Sequence, residues 1–440
     1  MSINRPKNVC VIVLGDIGRS PRMQYHVKSL IQHNYNIDLI GYVESAPLRE
    51  IAQDPNTKIH NLTPFPDLNL PTGLKYVFKT FWQILSLLIA LFSIRRPQFV
   101  LCQNPPAIPT LFVCYFYCLL VRSKFIIDWH NYTHTILALG SSPTSPIVKL
   151  AKWIERKFGQ KSWANLCVTN AMKLDLKENW DISATVLYDR PSPAFKPIPV
   201  IEKHELFKKL AEEYSIFASV DTNTDPSVAE STVLTQKLQN GDVVLRPDRP
   251  ALLISSTSWT PDEDFGILLR ALERYDVTAS SSSHYPKLVC VITGKGPQKE
   301  HYLELISKKI WTKVSILTPW LESEDYPKLL ASADLGVCLH WSSSGLDLPM
   351  KVVDMFGCGL PVCAINFKCL GELVQHEKNG FVFENEKELA EQLVSWFHEY
   401  PKNISLVNIK EIFQQNLRQF QMLRWNENWN KNALPLFRTE

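Results

Sequence analysis

The segment from Ala333 to Ala364 carries residue types and spacings suited to binding a phosphate group. An apolar run predicts a strand over Leu335–Leu339, a Ser/Gly turn follows at Ser342–Gly345, and a helix after the turn carries Lys351 and Asp354. Backbone N–H groups at the start of a helix attract phosphate oxygens, and a lysine adds positive charge. A carboxylate one turn further along can accept hydrogen bonds from ribose hydroxyls. The segment therefore predicts a nucleoside diphosphate site, with an inert strand, turn and helix as the alternative.

Two more glycine turns are predicted to follow strands. The first half of the chain has GDIGRSPR at Gly15–Arg22, and the second half has TGKGP at Thr293–Pro297. Glycine often serves such turns for backbone reasons alone, so a single turn is weak evidence. Together with the Ser/Gly turn they are more specific, because ligands of parallel α/β sheets bind at the carboxyl ends of strands.

The elements that position these turns alternate between strands and helices. Apolar runs in the first half predict the strands VCVIVL, NIDLIGYV, QFVLCQ, KFIIDWH and ANLCVTN, and ATVLYDRP is predicted to close this half. Runs in the second half predict the strands ALLISST, KLVCVIT, VSILTPW, LGVCLH and LPVCAI. Strands separated by helix-length segments imply right-handed crossovers and parallel sheets. The sequence therefore predicts an α/β protein with two Rossmann-like, doubly wound domains facing a cleft.

The length and a change of composition predict the domain limits. A chain of 440 residues is too long for one ordinary core. Many prolines and a polar tract occur between Pro191 and Pro250. We predict an N-terminal domain over residues 1–197, a linker with an inserted polar loop over 198–250, a C-terminal domain over 251–405, and a C-terminal helical segment over 406–440 that crosses back to the first domain.

Composition excludes several classes of protein. Charged residues at 21% and hydrophobic residues at 45% are typical of a globular chain. A net charge of +3 is too small to predict nucleic-acid binding. Most of the ten cysteines lie in apolar runs and no CxxC pair occurs, which predicts buried thiols in a reducing compartment rather than a zinc or redox site.

Two apolar segments of the first half are candidates for membrane contact. They are Val77–Ile94 and Ile108–Val121. The first is at the short end of the roughly 17 to 25 residues that span a bilayer, and the second is shorter. We predict that both form helices packed on the first sheet with apolar outer faces that rest on a membrane. A true span by Val77–Ile94 is the alternative.

A third segment, Ser145–Trp163, predicts an amphipathic helix. Its apolar stripe is predicted to comprise Ile147, Leu150, Ile154 and Phe158. Lysines and Trp153 on the remaining surface suit an anionic lipid surface. A solvated helix face of an ordinary domain is the alternative.

Several motifs, in this order, resemble those of the chitobiosyldiphosphodolichol β-mannosyltransferases. They are GDIGRSPRMQYH, QNPP, DWHNY, CVTNAM, SSTSWTPDEDF, ITGKGP, the Ala333–Ala364 segment and NFKCLGELV. The resemblance runs from about Val9 to Leu436, and the second half alone resembles the wider group of GT-B nucleotide-sugar transferases. It implies the GT-B fold, GDP-mannose as donor and GlcNAc2-diphosphodolichol as acceptor. It also implies a β1,4 linkage formed with inversion.

The resemblance also implies a place in the cell. The family acts on the cytosolic face of the endoplasmic reticulum membrane, so that membrane surface and other transferases of the lipid-linked oligosaccharide pathway are expected partners. Members usually begin with an N-terminal membrane anchor, which is not visible in MSINRPKN. Either this version lacks the anchor or the apolar surface helices hold the enzyme to the membrane.

The donor site is predicted from the glycine turns and the helix that follows the Ser/Gly turn. Its predicted residues are Gly294, Lys295, Gly296, Ser344, Gly345, Leu346, Lys351 and Asp354. GT-B relatives often carry cations after the first strand of the second domain, but SSTSWTPDEDF has none, so Lys295, Lys351 or Arg19 must supply the charge. The nearest matches to a metal-binding DxD motif, PDED at Pro261–Asp264 and GLDLP, resemble helix-start carboxylates. We therefore predict no metal and no cofactor.

An inverting transfer needs a base to remove the proton of the acceptor hydroxyl. The strand end FIIDWHNYTH offers Asp128, His130 and His134, and burial beside aromatic residues can tune such groups. We predict Asp128 and His130 as the catalytic residues without choosing between them, and Asp16 is an outside candidate. A structural cap and an internally bonded histidine are the alternatives.

The acceptor site is predicted around the first glycine turn. Arginine can bind two diphosphate oxygens at once, which suits Arg19 and Arg22 at the start of a helix. The predicted acceptor-binding residues are Gly15, Asp16, Gly18, Arg19, Arg22 and Asn131. Three other functions stay open: an inactive GT-B scaffold at the membrane, a transferase using another nucleotide sugar such as UDP-GlcNAc, and a soluble glycogen- or sucrose-type synthase.

Overall fold

The structure is a computed structural model that describes residues 7–69, 71–219, 225–261 and 263–438. The chain forms two compact units. The first unit contains the described residues up to Asp189, the short segment Ser343–Asp347 and the described residues from Trp425 onward. The second unit contains Arg190–Ser342 and Leu348–Arg424.

A parallel sheet forms the centre of the first unit. Its strands are β1 (Asn8–Asp16), β2 (Asn36–Tyr42), β3 (Thr57–Asn61), β4 (Phe99–Asn104), β5 (Lys124–Trp129), β6 (Ala164–Cys167) and β7 (Thr185–Val186). Within the described residues they lie in the order β3-β2-β1-β4-β5-β6-β7. The strand order reverses between β1 and β4, and such switch points are where doubly wound sheets bind ligands.

Helices cover both faces of this sheet. They are α1 (Pro21–Gln32), α2 (Arg49–Ala52), α3 (Thr72–Ser93), α4 (Thr110–Val121), α5 (Thr133–Gly140), α6 (Pro146–Lys161) and α7 (Asn170–Trp180). Alternate residues of β1 enter two different cores: Val11 packs with Val27 of α1, and Ile12 packs with Cys114 of α4. A strand buried on both faces reads as a continuous apolar run, which is why β1 was visible in the sequence.

The two apolar segments of the first half form α3 and α4, and both pack on the core of the first unit as predicted. Leu87 and Leu91 of α3 are buried there. Most of α3 faces outward, and its exposed apolar residues are Leu74, Tyr76, Val77, Phe78, Phe81, Leu85, Ile89 and Phe92. Among the described residues, α3 is the helix long and apolar enough to cross a bilayer, with a mean hydropathy of 1.5 over its most apolar window.

The predicted apolar stripe of α6 is partly wrong. Ile154 and Phe158 are buried, but Ile147 and Leu150 are exposed. Val148 and Ala151 take the buried positions instead, because the helix turns this side toward α4 and α5. As a result, two large apolar side chains of α6 lie on the surface beside lysines.

The second unit is built around another parallel sheet. A small antiparallel sheet comes first in the chain and contains β8 (Val228–Ser231), β9 (Thr235–Leu238) and β10 (Val243–Leu245). The strands of the parallel sheet are β11 (Ala251–Ser256), β12 (Leu288–Thr293), β13 (Val314–Leu317), β14 (Leu335–Cys338), β15 (Val362–Ile365) and β16 (Gly380–Phe383). The order of the parallel strands in the described residues is β13-β12-β11-β14-β15-β16. Both parallel sheets predicted from the sequence are therefore confirmed.

The helices of the second unit surround this sheet. They are α8 (Val200–Glu213), α9 (Phe265–Ser280), α10 (Lys299–Ser307), α11 (Asp325–Leu330), α12 (Met350–Gly357), α13 (Glu386–Phe397) and α14 (Val407–Met422). The region 198–250, predicted as linker and polar loop, contains α8 and the antiparallel sheet. It has a core of its own, in which Phe207 stacks on Phe217 with ring centroids 5.5 Å apart.

The chain ends with two short helices that belong to the first unit. They are α15 (Trp425–Asn432) and α16 (Leu434–Arg438). Trp429 and Phe437 are fully buried in the core that also contains Val27 of α1. The last helices therefore complete the face of the sheet that α1 begins.

Candidate functional site

Asp128 lies at the carboxyl edge of the first sheet, next to the end of β5, and is fully buried. Arg22 of α1 donates from Nε to Asp128 Oδ2 and from Nη2 to Oδ1, each at 2.8 Å. His26 Nε2 and His130 Nε2 lie 3.1 Å and 2.8 Å from the same Oδ2. Because both oxygens are occupied and the carboxylate is inaccessible, Asp128 can act on a substrate only through its neighbours.

The charges around Asp128 keep it ionised. Burial alone would raise the pKa of Asp128, but the charge of Arg22 and the hydrogen bonds that it donates outweigh burial and hold this pKa well below its usual range. Arg22 also donates to Leu187 O at 2.7 Å and to Asp189 Oδ1 at 2.8 Å. The two-oxygen contact expected of Arg22 is thus made to an internal carboxylate rather than left open for a diphosphate. Of the two predicted arginines, Arg19 keeps its proposed acceptor role, because its side chain is 77% exposed.

A tryptophan from the C-terminal helices fixes the protonation of His26. Trp429 Nε1 lies 2.9 Å from His26 Nδ1, and an indole N–H can only donate. His26 Nδ1 is therefore the acceptor, and the ring proton sits on Nε2, where it is donated to Asp128. Burial lowers the pKa of His26 and the attraction of Asp128 offsets this only in part, so the ring is neutral.

His130 is the member of this network that reaches the surface. Its side chain is 20% exposed, and its backbone N–H donates to Asn104 O at 2.8 Å. Since an ionised carboxylate only accepts, Nε2 of His130 must carry the proton donated to Asp128. In the neutral form of the ring, Nδ1 is the nitrogen without a proton, and no protein hydrogen bond is made to it within the described residues. This is the arrangement of an imidazole general base oriented by a carboxylate.

A second histidine–carboxylate pair follows directly. His134 Nδ1 lies 2.7 Å from Glu155 Oε2, and Glu155 on α6 is fully buried. Glu155 Oε1 also accepts from Asn104 Nδ2 at 2.9 Å and from the backbone N–H of Thr133 at 2.6 Å. Glu155 therefore holds the start of α5 and the end of β4 together.

The first glycine turn is organised by Asp16. Asp16 Oδ1 accepts from the backbone N–H groups of Gly18, Glu44 and Ser45 at 3.1 to 3.2 Å. Burial acts to raise the pKa of Asp16, but the hydrogen bonds from Ser45 and Gly18 outweigh it, so the pKa is lowered. A Cβ on Gly18 would lie 2.6 Å from Ser45 O, so only glycine fits there. Gly15 lies within β1, just before this turn.

Asn131 and the Ser/Gly segment lie together in the first unit. Asn131 Nδ2 donates to Asp347 Oδ1 at 2.9 Å, and Thr169 Oγ1 donates to Leu346 O at 2.6 Å. The backbone N–H of Leu346 is taken by Ser344 Oγ at 3.2 Å, and Gly345 has a positive φ of 70°. Leu346 is buried in the core of the first unit. The predicted donor residues Ser344, Gly345 and Leu346 therefore belong to the first unit, like Asn131, whereas the other predicted donor residues belong to the second unit.

The second glycine turn, Gly294, Lys295 and Gly296, follows β12. A Cβ on Gly294 would lie 1.8 Å from Thr257 O, and one on Gly296 would lie 1.7 Å from Ser258 O. Both glycines are thus required by the close approach of the loops after β11 and β12. Lys295 lies with its Nζ 3.5 Å from the centroid of the Trp320 ring.

Lys351, the second residue of α12, forms an ion pair with Glu263. Glu263 is 2% exposed and also accepts from Thr257 Oγ1 at 2.5 Å and from Ser258 N at 2.9 Å. The pair therefore holds the lysine ammonium beside the loop after β11, the stretch that has no cation of its own. Asp354, one turn further on α12, is half-buried.

The carboxylates of PDED have different partners. Asp264 caps α9 as predicted, because its Oδ1 accepts from the backbone N–H of Gly266 at 2.8 Å. Glu263 instead pairs with Lys351, and Asp262 lies outside the described residues. Among those residues, the group that could hold a metal ion is His284, His398 and Glu399 in the second unit, and it includes none of the predicted site residues. The absence of a metal requirement stays a prediction.

Comparison with known proteins gives the family. Residues 249–399 match the family model described as glycosyl transferases group 1. Over 431 residues, covering 98% of this chain and 92% of the relative, the sequence is 49% identical to the chitobiosyldiphosphodolichol beta-mannosyltransferase of Pongo abelii. The chain belongs to the chitobiosyldiphosphodolichol β-mannosyltransferase family.

Other relatives of this β-mannosyltransferase family member carry a different name or share only the fold. An Arabidopsis thaliana protein named UDP-glycosyltransferase TURAN is 42% identical over 453 residues, which cover 97% of this chain and 96% of that protein. The sucrose-phosphate synthase structure from Thermosynechococcus elongatus matches with a TM-score of 0.65 at 11% identity, covering 99% of this chain and 98% of that one. The predicted GT-B fold is confirmed.

Three residues that position groups of the candidate site were not predicted from the sequence. Glu155 bonds His134, Glu263 pairs with Lys351, and Trp429 donates to His26, a neighbour of Asp128. A usable signal existed for Glu155, because it lies on the same helical stripe as Ala151 and Phe158. A carboxylate on a buried stripe requires internal donors. No comparable signal existed for Glu263 or Trp429.

Proposed function

We propose that this protein transfers mannose from GDP-mannose to GlcNAc2-diphosphodolichol with inversion, forming a β1,4 linkage. The single observation that carries the proposal is 49% identity over nearly the whole chain to a relative named for this activity. The buried Asp128 beneath a surface-reaching His130 adds the base that such a displacement needs.

The proposed chemistry is one displacement at C1 of mannose. His130 Nδ1 takes the proton of the acceptor hydroxyl while that oxygen bonds to C1. The bond from C1 to the diphosphate oxygen breaks, and GDP leaves with the electron pair. Asp128 stabilises the imidazolium ion that forms at His130, and Arg22 and neutral His26 keep the carboxylate in place.

The leaving diphosphate needs positive charge. In our proposal Lys351 supplies it, held in position by Glu263, with Lys295 as the second cation. The backbone of Ser344 and Gly345 and the glycine turn complete the donor site, and Asp354 accepts from the ribose. Arg19 and Asn131, with the turn of Gly15, Asp16 and Gly18, remain proposed contacts of the acceptor. No metal ion or cofactor takes part.

The transfer assay tests the proposal directly. Purified protein given GDP-mannose and a short-chain acceptor, GlcNAc2-diphosphoryl-phytanyl, is expected to form a lipid-linked trisaccharide that β-mannosidase cleaves. GDP at 100 times its dissociation constant is expected to stabilise the protein by about 2.7 kcal/mol, which a melting curve detects. UDP at the same concentration is not expected to raise the melting temperature.

A uridine donor is the second candidate, because the Arabidopsis relative is named as a UDP-glycosyltransferase. Stabilisation by UDP but not by GDP, together with transfer from UDP-GlcNAc, would replace the proposed donor. Nucleotide binding without any transfer would favour the inactive scaffold.

We further propose that the enzyme works on the cytosolic face of the endoplasmic reticulum, with the first unit resting on the bilayer. Its support is the exposed apolar surface of α3 and α4, including Phe81, Ile89, Phe116 and Leu120 at 50 to 72% exposure. Such a surface on a monomer marks an interaction site. Trp153 and the lysines of α6 suit the headgroup region. Other enzymes of the pathway that act at this membrane are proposed partners.

Co-sedimentation with phosphatidylcholine and phosphatidylinositol vesicles tests the membrane surface. The variant Phe81→Glu/Ile89→Glu is expected to bind vesicles at least about tenfold more weakly, because two side chains that would enter the apolar layer become charged. Val277→Glu is the matched control, since this residue is also apolar and 72% exposed but lies on α9 of the second unit. Equal vesicle binding by the wild type and the α3 variant would rule out α3 as the contact.

A further inference from the structure

A cavity of about 330 Å³ in the first unit lies between α5 and α6. Its lining includes His134, Ala138 and Leu139 from α5 and Val148, Lys149 and Lys152 from α6. Lys149 and Lys152 form a cationic wall, and Ala138, Leu139 and Val148 form an apolar wall. The transfer chemistry proposed above uses none of these residues.

The cationic wall has positive charge that the protein does not neutralise. Lys149 and Lys152 are one helical turn apart, so their side chains lie on the same side of α6. Both are exposed, and within the described residues neither forms an ion pair. The carboxylate of this helix, Glu155, is buried and bonded to the start of α5. Two adjacent unpaired ammonium groups suit a diphosphate.

The apolar wall continues into the exposed apolar surface of the same unit. Ala138, Leu139 and Val148 line the cavity, and Leu139 is 64% exposed. On the same helix as the lysines, Leu150 and Trp153 are exposed at 46% and 57%. The α6 helix packs on α4, where Phe158 lies 5.9 Å from Phe112. A hydrocarbon chain in the cavity would therefore have an apolar route to the surface.

We infer that this cavity binds two parts of the acceptor, namely the diphosphate and the first isoprene units of the lipid. Lys149 and Lys152 contact the diphosphate oxygens, and Ala138, Leu139 and Val148 contact the hydrocarbon. This inference rests on the proposed function. Arg22 is bonded to Asp128 and Asp189 and does not contact the acceptor diphosphate, so Lys149 and Lys152 provide the positive charge instead. Since two sugars separate the diphosphate from the hydroxyl that reacts, His130 should lie outside the cavity, and it does not line it.

Acceptor kinetics test the inference. For Lys149→Ala/Lys152→Ala, the KM for GlcNAc2-diphosphoryl-phytanyl is expected to rise at least about tenfold, with an unchanged KM for GDP-mannose. Lys149→Arg/Lys152→Arg should restore most of the acceptor affinity. The matched control is Lys157→Ala, because Lys157 is an exposed lysine of α6 that does not line the cavity. An unchanged acceptor KM in the double alanine variant, with an active wild type, overturns the inference and leaves the proposed function standing.

Binding measured without turnover separates the two proposals. By calorimetry, the wild type should bind phytanyl diphosphate more tightly than inorganic diphosphate or phytanol. The double alanine variant should lose at least about tenfold in affinity for phytanyl diphosphate. Leu139→Asp should weaken binding of phytanyl diphosphate but not of inorganic diphosphate. If the wild type transfers no mannose yet shows these differences, the proposed function fails and the cavity remains a lipid diphosphate site. Equal affinities in all variants exclude the site.

Discussion

Replacing His130 by glutamine is expected to lower kcat for mannose transfer by about 10² to 10⁴-fold, the range that a general base contributes. Glutamine can still donate to Asp128, so the buried network should survive, but it has no basic nitrogen to take the acceptor proton. Transfer of labelled mannose to the phytanyl acceptor measures the loss. The KM for GDP-mannose and the melting temperature should stay close to the wild-type values.

His60→Gln is the matched control, since His60 Nε2 also lies 2.8 Å from an oxygen of a buried carboxylate, Asp38. It is expected to keep kcat within a few-fold, because His60 lies on β3 and does not line the proposed acceptor cavity. Full activity of His130→Gln together with loss of kcat in His134→Gln would move the base to His134.

Asp128→Asn is expected to cost about 3–5 kcal/mol of the free energy of unfolding, because it removes the carboxylate that compensates a buried guanidinium. Arg22 is 4% exposed and would keep only Asp189 as an anionic partner. Urea denaturation of wild type and variant measures the difference. Asp181→Asn, which breaks the exposed pair with Lys177, should leave the free energy of unfolding almost unchanged.

The same variant gives a defined pH dependence. The folded pKa of Asp128 lies below its unfolded value, so the stability that it contributes is present above the unfolded pKa and lost as pH falls through the folded pKa. The stability gap between wild type and Asp128→Asn should therefore be constant between about pH 5 and 8 and narrow only below about pH 4. A gap that closes between pH 8 and 6 would show that a histidine, rather than the carboxylate, carries the effect.

Local sequence patterns were sufficient to predict both parallel sheets except for their edge strands β3 and β16. Strands such as β5 and β12 are short, continuous apolar runs followed by turn residues, which is what burial on both faces requires. The position of Asp128 and His130 at a strand end was visible for the same reason. The sequence did not show which of the two acts as the base, because this depends on which of their oxygen and nitrogen atoms are hydrogen-bonded by other elements.

The missing information is long-range. On α6 two helical stripes were possible, and only packing on α4 and α5 selects Val148 and Ala151 over Ile147 and Leu150. The partners Lys351 and Glu263 are 88 positions apart, and no local pattern links them. Arg22 looked like a ligand-binding arginine because its buried partner, Asp128, is 106 positions away.

The contact between Trp429 and His26 joins residues 403 positions apart. The hydrogen-bond chain that orients His130 therefore depends on a side chain that the ribosome adds long after the strands of the first sheet. A nascent chain that has reached only those strands lacks the indole donor to His26 Nδ1. On the proposed mechanism, His130 is fully oriented only after α15 has packed against α1.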